Sequence, residues 1–216
     1  LLLTMSGPMM ISMFIQALYN VVDSMFVSYI SEAALTAVSL AYPMQNLMIA
    51  VATGTGVGVN ALLSRNLGEK NYSMANRVAG NTIFLGLVSY VVFALLGLLG
   101  SRFYFSVQVE DPNIIALGHD YLSIVTVLSI GCFGQVLLSR LLQSTGKTFY
   151  SMVIQMVGAG LNLVLDPIMI FGLLGFPKMG VAGAALATVI SQLAGTALGV
   201  YYNLRKNPEI QFSLST

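Results

Sequence analysis

Five polar side chains follow one another at helical spacing in the first apolar segment of the chain. They are Ser12, Gln16, Tyr19, Asn20 and Asp23, at successive steps of 4, 3, 1 and 3 residues. At 3.6 residues per turn, these steps place all five on one face of a helix. That face carries a carboxylate, two carboxamides and two hydroxyl groups, which can bind a small cation, exchange a proton or contact a polar substrate.

A second polar stripe occurs near residue 160 and ends in another carboxylate. Gln155, Asn162 and Asp166 are separated by steps of 7 and 4, again one helical face, and Pro167 follows the acid directly. Asp23 and Asp166, with Asn162 one turn away, could hold Na⁺ among oxygen ligands or share a proton. The alternative is that each acid only ties helices together through hydrogen bonds to Tyr19, Asn20 or Asn162.

Weaker polar stripes occur in three other segments. Together with the first two they predict a wet cavity rather than a dry bundle. These stripes are Asn46, Thr53 and Asn60; Gln135, Ser139 and Gln143; and Thr188, Gln192 and Thr196.

The composition places these stripes in a membrane. Of the 216 residues, 56% are hydrophobic and only 8% are charged, and the mean hydropathy is +0.84. Soluble domains carry about 25% charged residues. A net charge of +1 without a basic stripe gives no indication of nucleic-acid binding. The single cysteine, Cys132, excludes an internal disulfide and a cysteine-based metal site.

Six charge-free apolar runs predict an all-α protein with six transmembrane helices, since about 20 apolar residues cross a bilayer. The runs are continuous rather than alternating, which excludes an outer-membrane barrel. Two GxxxG pairs, Gly54 with Gly58 and Gly195 with Gly199, favour close helix packing. The predicted helices cover about 2–30, 34–63, 78–100, 121–142, 149–173 and 181–203.

The basic residues of the connections predict the orientation. Two basic residues, Arg102 and Lys178, fall on one side, and seven fall on the other; these are Arg65, Lys70, Arg77, Arg140, Lys147, Arg205 and Lys206. The positive-inside rule then places the amino terminus in the cytoplasm. The connection that carries His119 lies outside, where this histidine is expected to be a solvated loop residue. The chain opens on Leu1 inside an apolar run, so we expect it to be a fragment.

The orientation also predicts the depth of the two acids. Asp23 lies seven residues before the end of the first predicted helix, and Asp166 lies seven before the end of the fifth. Both helices run from inside to outside, so each acid is expected about 10 Å below the outer end. Carboxylates inside a span usually face a pathway or a partner.

Four motifs resemble the amino-terminal half of the multidrug and toxic compound extrusion (MATE) transporters. They are Gln16-Ala-Leu-Tyr-Asn-Val-Val-Asp-Ser, Leu67-Gly-Glu-Lys, Asn162-Leu-Val-Leu-Asp-Pro and Pro177-Lys-Met-Gly-Val-Ala-Gly-Ala-Ala. The resemblance covers nearly the whole chain. It implies one six-helix lobe of a twelve-helix antiporter in a bacterial inner or plasma membrane. Such a protein expels organic cations in exchange for Na⁺ or H⁺, with no other cofactor, and its carboxy-terminal lobe is absent from this chain.

The resemblance also assigns residues. The family's first-helix acid matches Asp23, and its fifth-helix Asn and Asp match Asn162 and Asp166. A fourth ligand from the fourth helix falls near Ser139 or Gln135. Gln16, Tyr19 and Asn20 complete the predicted ion-coupling and substrate-binding set.

Pro167 lacks the N–H that would bond to Leu163, and it is predicted to form a hinge beside the acid.

Other functions remain open at this point. A flippase of lipid-linked saccharides in the same superfamily would be expected to carry more Arg or Lys in its cavity, to meet phosphates. A complete six-helix channel or scaffold would use the acids to line a pore or to hold its helices together. An enzyme is not expected, because the chain lacks an HExxH motif and its one histidine falls in a predicted loop.

Overall fold

The computed structural model describes residues 2–210, apart from the side chains of residues 2–5 and 20. The described residues form helices and connections, without a strand. In chain order the helices are α1 (Leu2–Ser28), α2 (Glu32–Gly68), α3 (Tyr72–Gln108), α4 (Pro112–Val127), α5 (Ile130–Ser144), α6 (Thr148–Phe171) and α7 (Val181–Lys206).

Five of these helices are long and apolar enough to cross a membrane, and α4 with α5, bent by 44° at the break between them, makes a sixth when the pair is taken as one span. α7 packs against α5 and α6, α1 packs mainly against α6, and α2 and α4 flank α3. Large apolar side chains cover the outward surface, as expected for a face in contact with lipid. Leu99 on α3, for example, is 83% exposed.

The fourth predicted helix, 121–142, is wrong in its start and in its continuity. α4 begins at Pro112, where the Asp111 side chain accepts a hydrogen bond from the Asn113 N–H and caps the helix. The helix breaks at Leu128 and Ser129, and α5 begins at Ile130. Just beyond the break the chain approaches α7 closely: a Cβ on Gly131 would lie 3.0 Å from the Leu193 backbone nitrogen.

His119 is therefore a helical residue, which corrects its assignment to a loop. It lies in α4 and is half-buried. Its Nδ1 is 2.7 Å from the Ser101 hydroxyl oxygen on α3. The predicted outer loop shrinks to the short connection between α3 and α4.

α2 and α3 each extend over 37 residues, well beyond the predicted 34–63 and 78–100. Ser31 and Asn71 cap their amino-terminal ends through side-chain hydrogen bonds to backbone N–H groups. The charge-free runs marked only the apolar parts, because charged residues such as Arg77 and Arg102 lie within the helices.

Glycines allow α5 and α7 to pack closely. A Cβ on Gly199 would lie 2.9 Å from Leu138 Cβ, and one on Gly195 would lie 2.8 Å from the Gln135 carboxamide carbon. Close packing at this GxxxG pair agrees with the prediction. The pair on α2 does not pack in this way, because a Cβ on Gly54 or Gly58 would meet no described atom within 4 Å.

The segment after α7 folds back onto the end of the lobe. Ile210 is buried in an apolar cluster formed by residues of α2, α3 and α5. Lys147 donates a hydrogen bond to Glu209 across this segment. Burial raises the pKa of Glu209, but the interactions with Lys147 and a backbone hydrogen bond lower it, so the net pKa is below its usual value. These contacts lie at the amino-terminal end of α6, whereas Asp166 lies near its other end.

Candidate functional site

Asp23 and Asp166 come together where α1 packs against α6. Each lies five residues before the last residue of its helix, Ser28 in α1 and Phe171 in α6. At 1.5 Å per residue both acids are about 8 Å below their helix ends, slightly less than predicted. Their side chains lie within hydrogen-bonding reach of each other.

Asn162 links Asp166 to α7. With its carboxamide oriented to satisfy both neighbours, its nitrogen donates to Asp166 Oδ2 at 2.9 Å and its oxygen accepts from the Thr188 backbone N–H at 3.1 Å. The Thr188 hydroxyl lies 3.3 Å from the same carboxamide. Asn162, Asp166 and Thr188 are all buried. One amide therefore fixes the orientation of the Asp166 carboxylate.

Each acid also has an unsatisfied oxygen. Asp23 Oδ1 and Asp166 Oδ1 are buried and have no hydrogen-bond donor among the described residues. A buried acceptor without a donor is costly, and a carboxylate increases that cost. A proton or a small cation between the two carboxyl groups would satisfy both oxygens. The atoms with which the two acids could bind an ion are all oxygens, which suits Na⁺ or H⁺.

The other predicted residues of α1 lie at different distances from the acids. The Tyr19 side chain lines the same cavity as Thr188. Gln16 is more exposed and lines the cavity described below together with Tyr19. Asn20 belongs to α1, but its side chain lies outside the described part of the chain. The sequence placed Thr188 in a weak stripe and did not identify it as a neighbour of Asn162.

A cavity of about 430 Å³ opens beside this cluster. It has the polar lining that the stripes predicted, and Asn162 both lines it and bonds to Asp166. The cavity and the acid pair therefore share a residue. The polar lining comes from α1, α2, α5, α6 and α7: Ser12, Gln16, Tyr19, Tyr42, Gln45, Asn46, Thr53, Gln135, Ser139, Arg140, Gln143, Gln155, Asn162, Thr188, Ser191 and Gln192.

Besides the two acids, two further described residues of the stripes, Thr196 and Asn60, do not line this cavity. Thr196 instead donates to the Gly131 carbonyl at 2.8 Å and helps to join α7 to α5. The Asn60 side chain accepts a hydrogen bond from Ser64 on α2.

Ser139 and Gln135, the two candidates for a fourth ligand, both line the cavity. Ser139 Oγ is buried without a hydrogen-bond partner among the described residues. The Gln135 side chain packs between Gly158 on α6 and Gly195 on α7. No hydrogen bond in the described part of the chain joins either residue to Asp23 or Asp166. Their assignment as ligands stays a prediction.

Pro167 follows Asp166 inside α6, which continues through it to Phe171. The missing backbone hydrogen bond therefore lies next to the acid pair. A hinge at this position stays a prediction.

A family model described as MatE matches residues 8–168. The chain belongs to the MatE family. This confirms the resemblance seen in the motifs, and members of the MATE family are transporters, not enzymes. A solved structure described as an outward-facing conformation of a multidrug resistance MATE family transporter of the MOP superfamily superposes with a TM-score of 0.92. It shares 29% identity, with 98% of this chain and 46% of that one covered.

Curated relatives agree with the MatE assignment. A FAD transporter of Shewanella oneidensis is 31% identical over 216 residues, with 95% of this chain and 46% of the relative covered. A multidrug export protein MepA of Staphylococcus haemolyticus is 29% identical over 210 residues, with 97% and 46% covered. The chain spans about half the length of the curated relatives it matches, in agreement with the prediction of one lobe.

Proposed function

We propose that this MatE chain is one lobe of a secondary active exporter that expels small organic molecules in exchange for Na⁺ or H⁺. The complete transporter would pair it with a second, carboxy-terminal lobe across the cavity. The observation that carries the proposal is the pair Asp23 and Asp166, which meet at one depth, each with an unpartnered oxygen. Asn162 joins this pair to the cavity.

In the proposed mechanism, the acid pair holds either the coupling cation or protons. A carboxylate binds Na⁺ poorly while it is protonated, so the two ions compete for one site. Either ion offsets the negative charge of the carboxylates on α1 and α6, reduces their repulsion and so stabilises the contact between these helices. Ion exchange can drive transport only if the ion binds the two conformations of the protein with different affinity.

Organic cations are the substrate class that the family resemblance implies, and one relative is named a multidrug export protein. A second candidate is an organic anion, because Arg140 lines the cavity and another relative is named a FAD transporter. The family match favours an exporter over an unrelated six-helix channel. The proposed location is a bacterial inner or plasma membrane, with the amino terminus in the cytoplasm.

Replacing Asp23 by Asn tests the coupling role. The amide keeps the shape of the side chain but loses its charge, so ion-driven transport should fall to background while membrane insertion is retained. The full-length transporter is reconstituted into proteoliposomes, and uptake of a fluorescent organic cation is followed under a Na⁺ or pH gradient.

Asp120→Asn is the matched control for Asp23→Asn, since Asp120 is an exposed carboxylate on α4 outside the acid pair. This control should transport at the wild-type rate. Unchanged ion-driven transport by a well-folded Asp23→Asn protein would refute the coupling role.

A further inference from the structure

Arg140 is the one charged side chain among the described residues that line the cavity. It lies on α5, four residues before the helix ends at Ser144. From the sequence it was counted among the positive charges of the cytoplasmic side, near the end of a span. Its position on the cavity wall gives it a second possible role, because an arginine inside a span usually faces a pathway or a partner.

The Arg140 side chain is held in place from two sides. Its Nη1 donates to Gln143 Oε1 at 3.0 Å, and Gln143 Nε2 donates in turn to the Ser151 hydroxyl at 2.8 Å. Gly56 on α2 leaves room for the arginine stem, since a Cβ there would lie 2.6 Å from Arg140 Cγ. Because these contacts use one guanidinium nitrogen, the other donors of the group remain available.

The charge of Arg140 has no counterion in the described part of the chain. The two ion pairs there are Arg65 with Glu69 and Lys147 with Glu209, both away from the cavity. The acids Asp23 and Asp166 do not line the cavity. A half-buried guanidinium that faces polar and apolar side chains gains most from an anion that can accept two of its hydrogen bonds.

We propose that Arg140 forms an anion-binding subsite, and that the substrates include organic anions with a carboxylate or phosphate group. The apolar part of such a molecule would contact Tyr42, Met13 and Met48, which line the same cavity. This inference rests on the proposed function at one point: it assumes that substrates pass through the cavity. It deepens that proposal by naming the charge of one substrate class.

The test compares two dyes with a common xanthene ring and opposite charge: carboxyfluorescein, an anion, and rhodamine 123, a cation. Binding to the purified full-length transporter is measured by fluorescence anisotropy, without an ion gradient. A hydrogen bond to a charged group is worth about 1.5–3 kcal/mol, so Arg140→Gln should weaken carboxyfluorescein binding about tenfold or more. Rhodamine 123 binding should stay the same or become tighter.

Two further variants probe the geometry of the subsite. Arg140→Lys keeps the charge but loses the planar fork, so its affinity for carboxyfluorescein should be intermediate. Gly56→Ala keeps the charge and displaces the arginine stem, so it should also weaken binding of the anion. Arg65→Gln is the matched control, because it removes an exposed cation that is paired with Glu69, and it should leave both dyes unaffected.

Several results would overturn the inference. These are failure of the wild-type protein to bind carboxyfluorescein, equal carboxyfluorescein affinity in wild type and Arg140→Gln, and an equal loss for both dyes. The last result would indicate that Arg140 supports the shape of the cavity rather than binding the anion. Displacement of the dye by phosphatidylglycerol but not by soluble organic phosphate would assign the subsite to a lipid headgroup instead.

The Asp23→Asn experiment separates this inference from the coupling role. If ion-driven transport survives in Asp23→Asn while Arg140-dependent dye binding is present, the coupling proposal fails and the anion subsite stands. If coupling is lost as expected but carboxyfluorescein affinity does not depend on Arg140, only the subsite fails.

Discussion

Asn162→Ala isolates the contribution of one amide to the proposed ion site. The substitution removes the donor to Asp166 Oδ2 at 2.9 Å and the acceptor of the Thr188 N–H at 3.1 Å. Asp166 Oδ1 already has no partner among the described residues, so the carboxylate would lose the donor that orients it. A hydrogen bond to a charged group contributes about 1.5–3 kcal/mol. If this energy holds the carboxylate in its ion-binding orientation, the half-saturating ion concentration should rise about tenfold or more.

The assay is transport by the full-length protein in proteoliposomes, with Na⁺ and pH varied separately. Asn203→Ala is the matched control. Asn203 is also buried, and its side-chain nitrogen donates to the Leu138 and Gly199 carbonyls, but it lies near the end of α7 away from the acids. Both variants should lower thermal stability, and only Asn162→Ala should shift the ion response.

An unchanged half-saturating concentration in a folded Asn162→Ala protein would refute this reasoning. An equal shift in Asn203→Ala would do the same, since it would show that general destabilisation changes the ion response. Measured as ion affinity of the purified transporter, the loss in the combined variant Asn162→Ala/Asp23→Asn should be less than the sum of the two single losses, because the residues belong to one network. Strictly additive losses would indicate separate sites.

Two further changes test the helix beside the acid pair and its packing. Pro167→Ala restores a backbone N–H inside α6, so transport rate in proteoliposomes should change more than ion affinity; equal changes in both would contradict a hinge. Gly183→Ala places a Cβ 2.5 Å from the Met169 carbonyl oxygen and should cost about 1–3 kcal/mol of stability. In thermal unfolding, Gly160→Ala should be tolerated, because its Cβ would meet no described atom within 4 Å; equal melting temperatures for the two alanine variants would contradict the packing argument.

The apolar runs predicted the spans well because hydropathy reflects the surrounding solvent. They could not show the break at Leu128 and Ser129, since no proline or charge marks it. Ser129 is fully buried, and its hydroxyl has no partner in the described part of the chain, so no side-chain hydrogen bond of Ser129 accounts for the break. The runs also underestimated α3, because a helix that leaves the apolar layer continues with charged residues such as Arg102.

The pairing of the two acids could be predicted from the sequence, because helical spacing and helix orientation together fix the depth of each acid in the membrane. To predict that Asp23 and Asp166 lie at one depth, it was enough that each is the same number of residues from the end of its predicted helix. The hydrogen bonds of Asn162 to Thr188 were not accessible in this way, because they depend on how α6 and α7 are rotated against each other. The position of Arg140 on the cavity wall could not be predicted for a similar reason: a charge count assigns a side of the membrane, but not which way the helix is rotated.

The glycine contact between α5 and α7 also provides an internal distance standard for spectroscopy. Neither helix can approach the other further at Gly199, where a Cβ would already lie 2.9 Å from Leu138. Hydrogen bonds from α7 to the α5 carbonyls of Leu138 and Gly131 oppose their separation. Spin labels at the exposed residues Ile130 on α5 and Ile190 on α7 should therefore keep a constant separation through the transport cycle. Any change measured from α1 to this pair would then report movement of α1 itself.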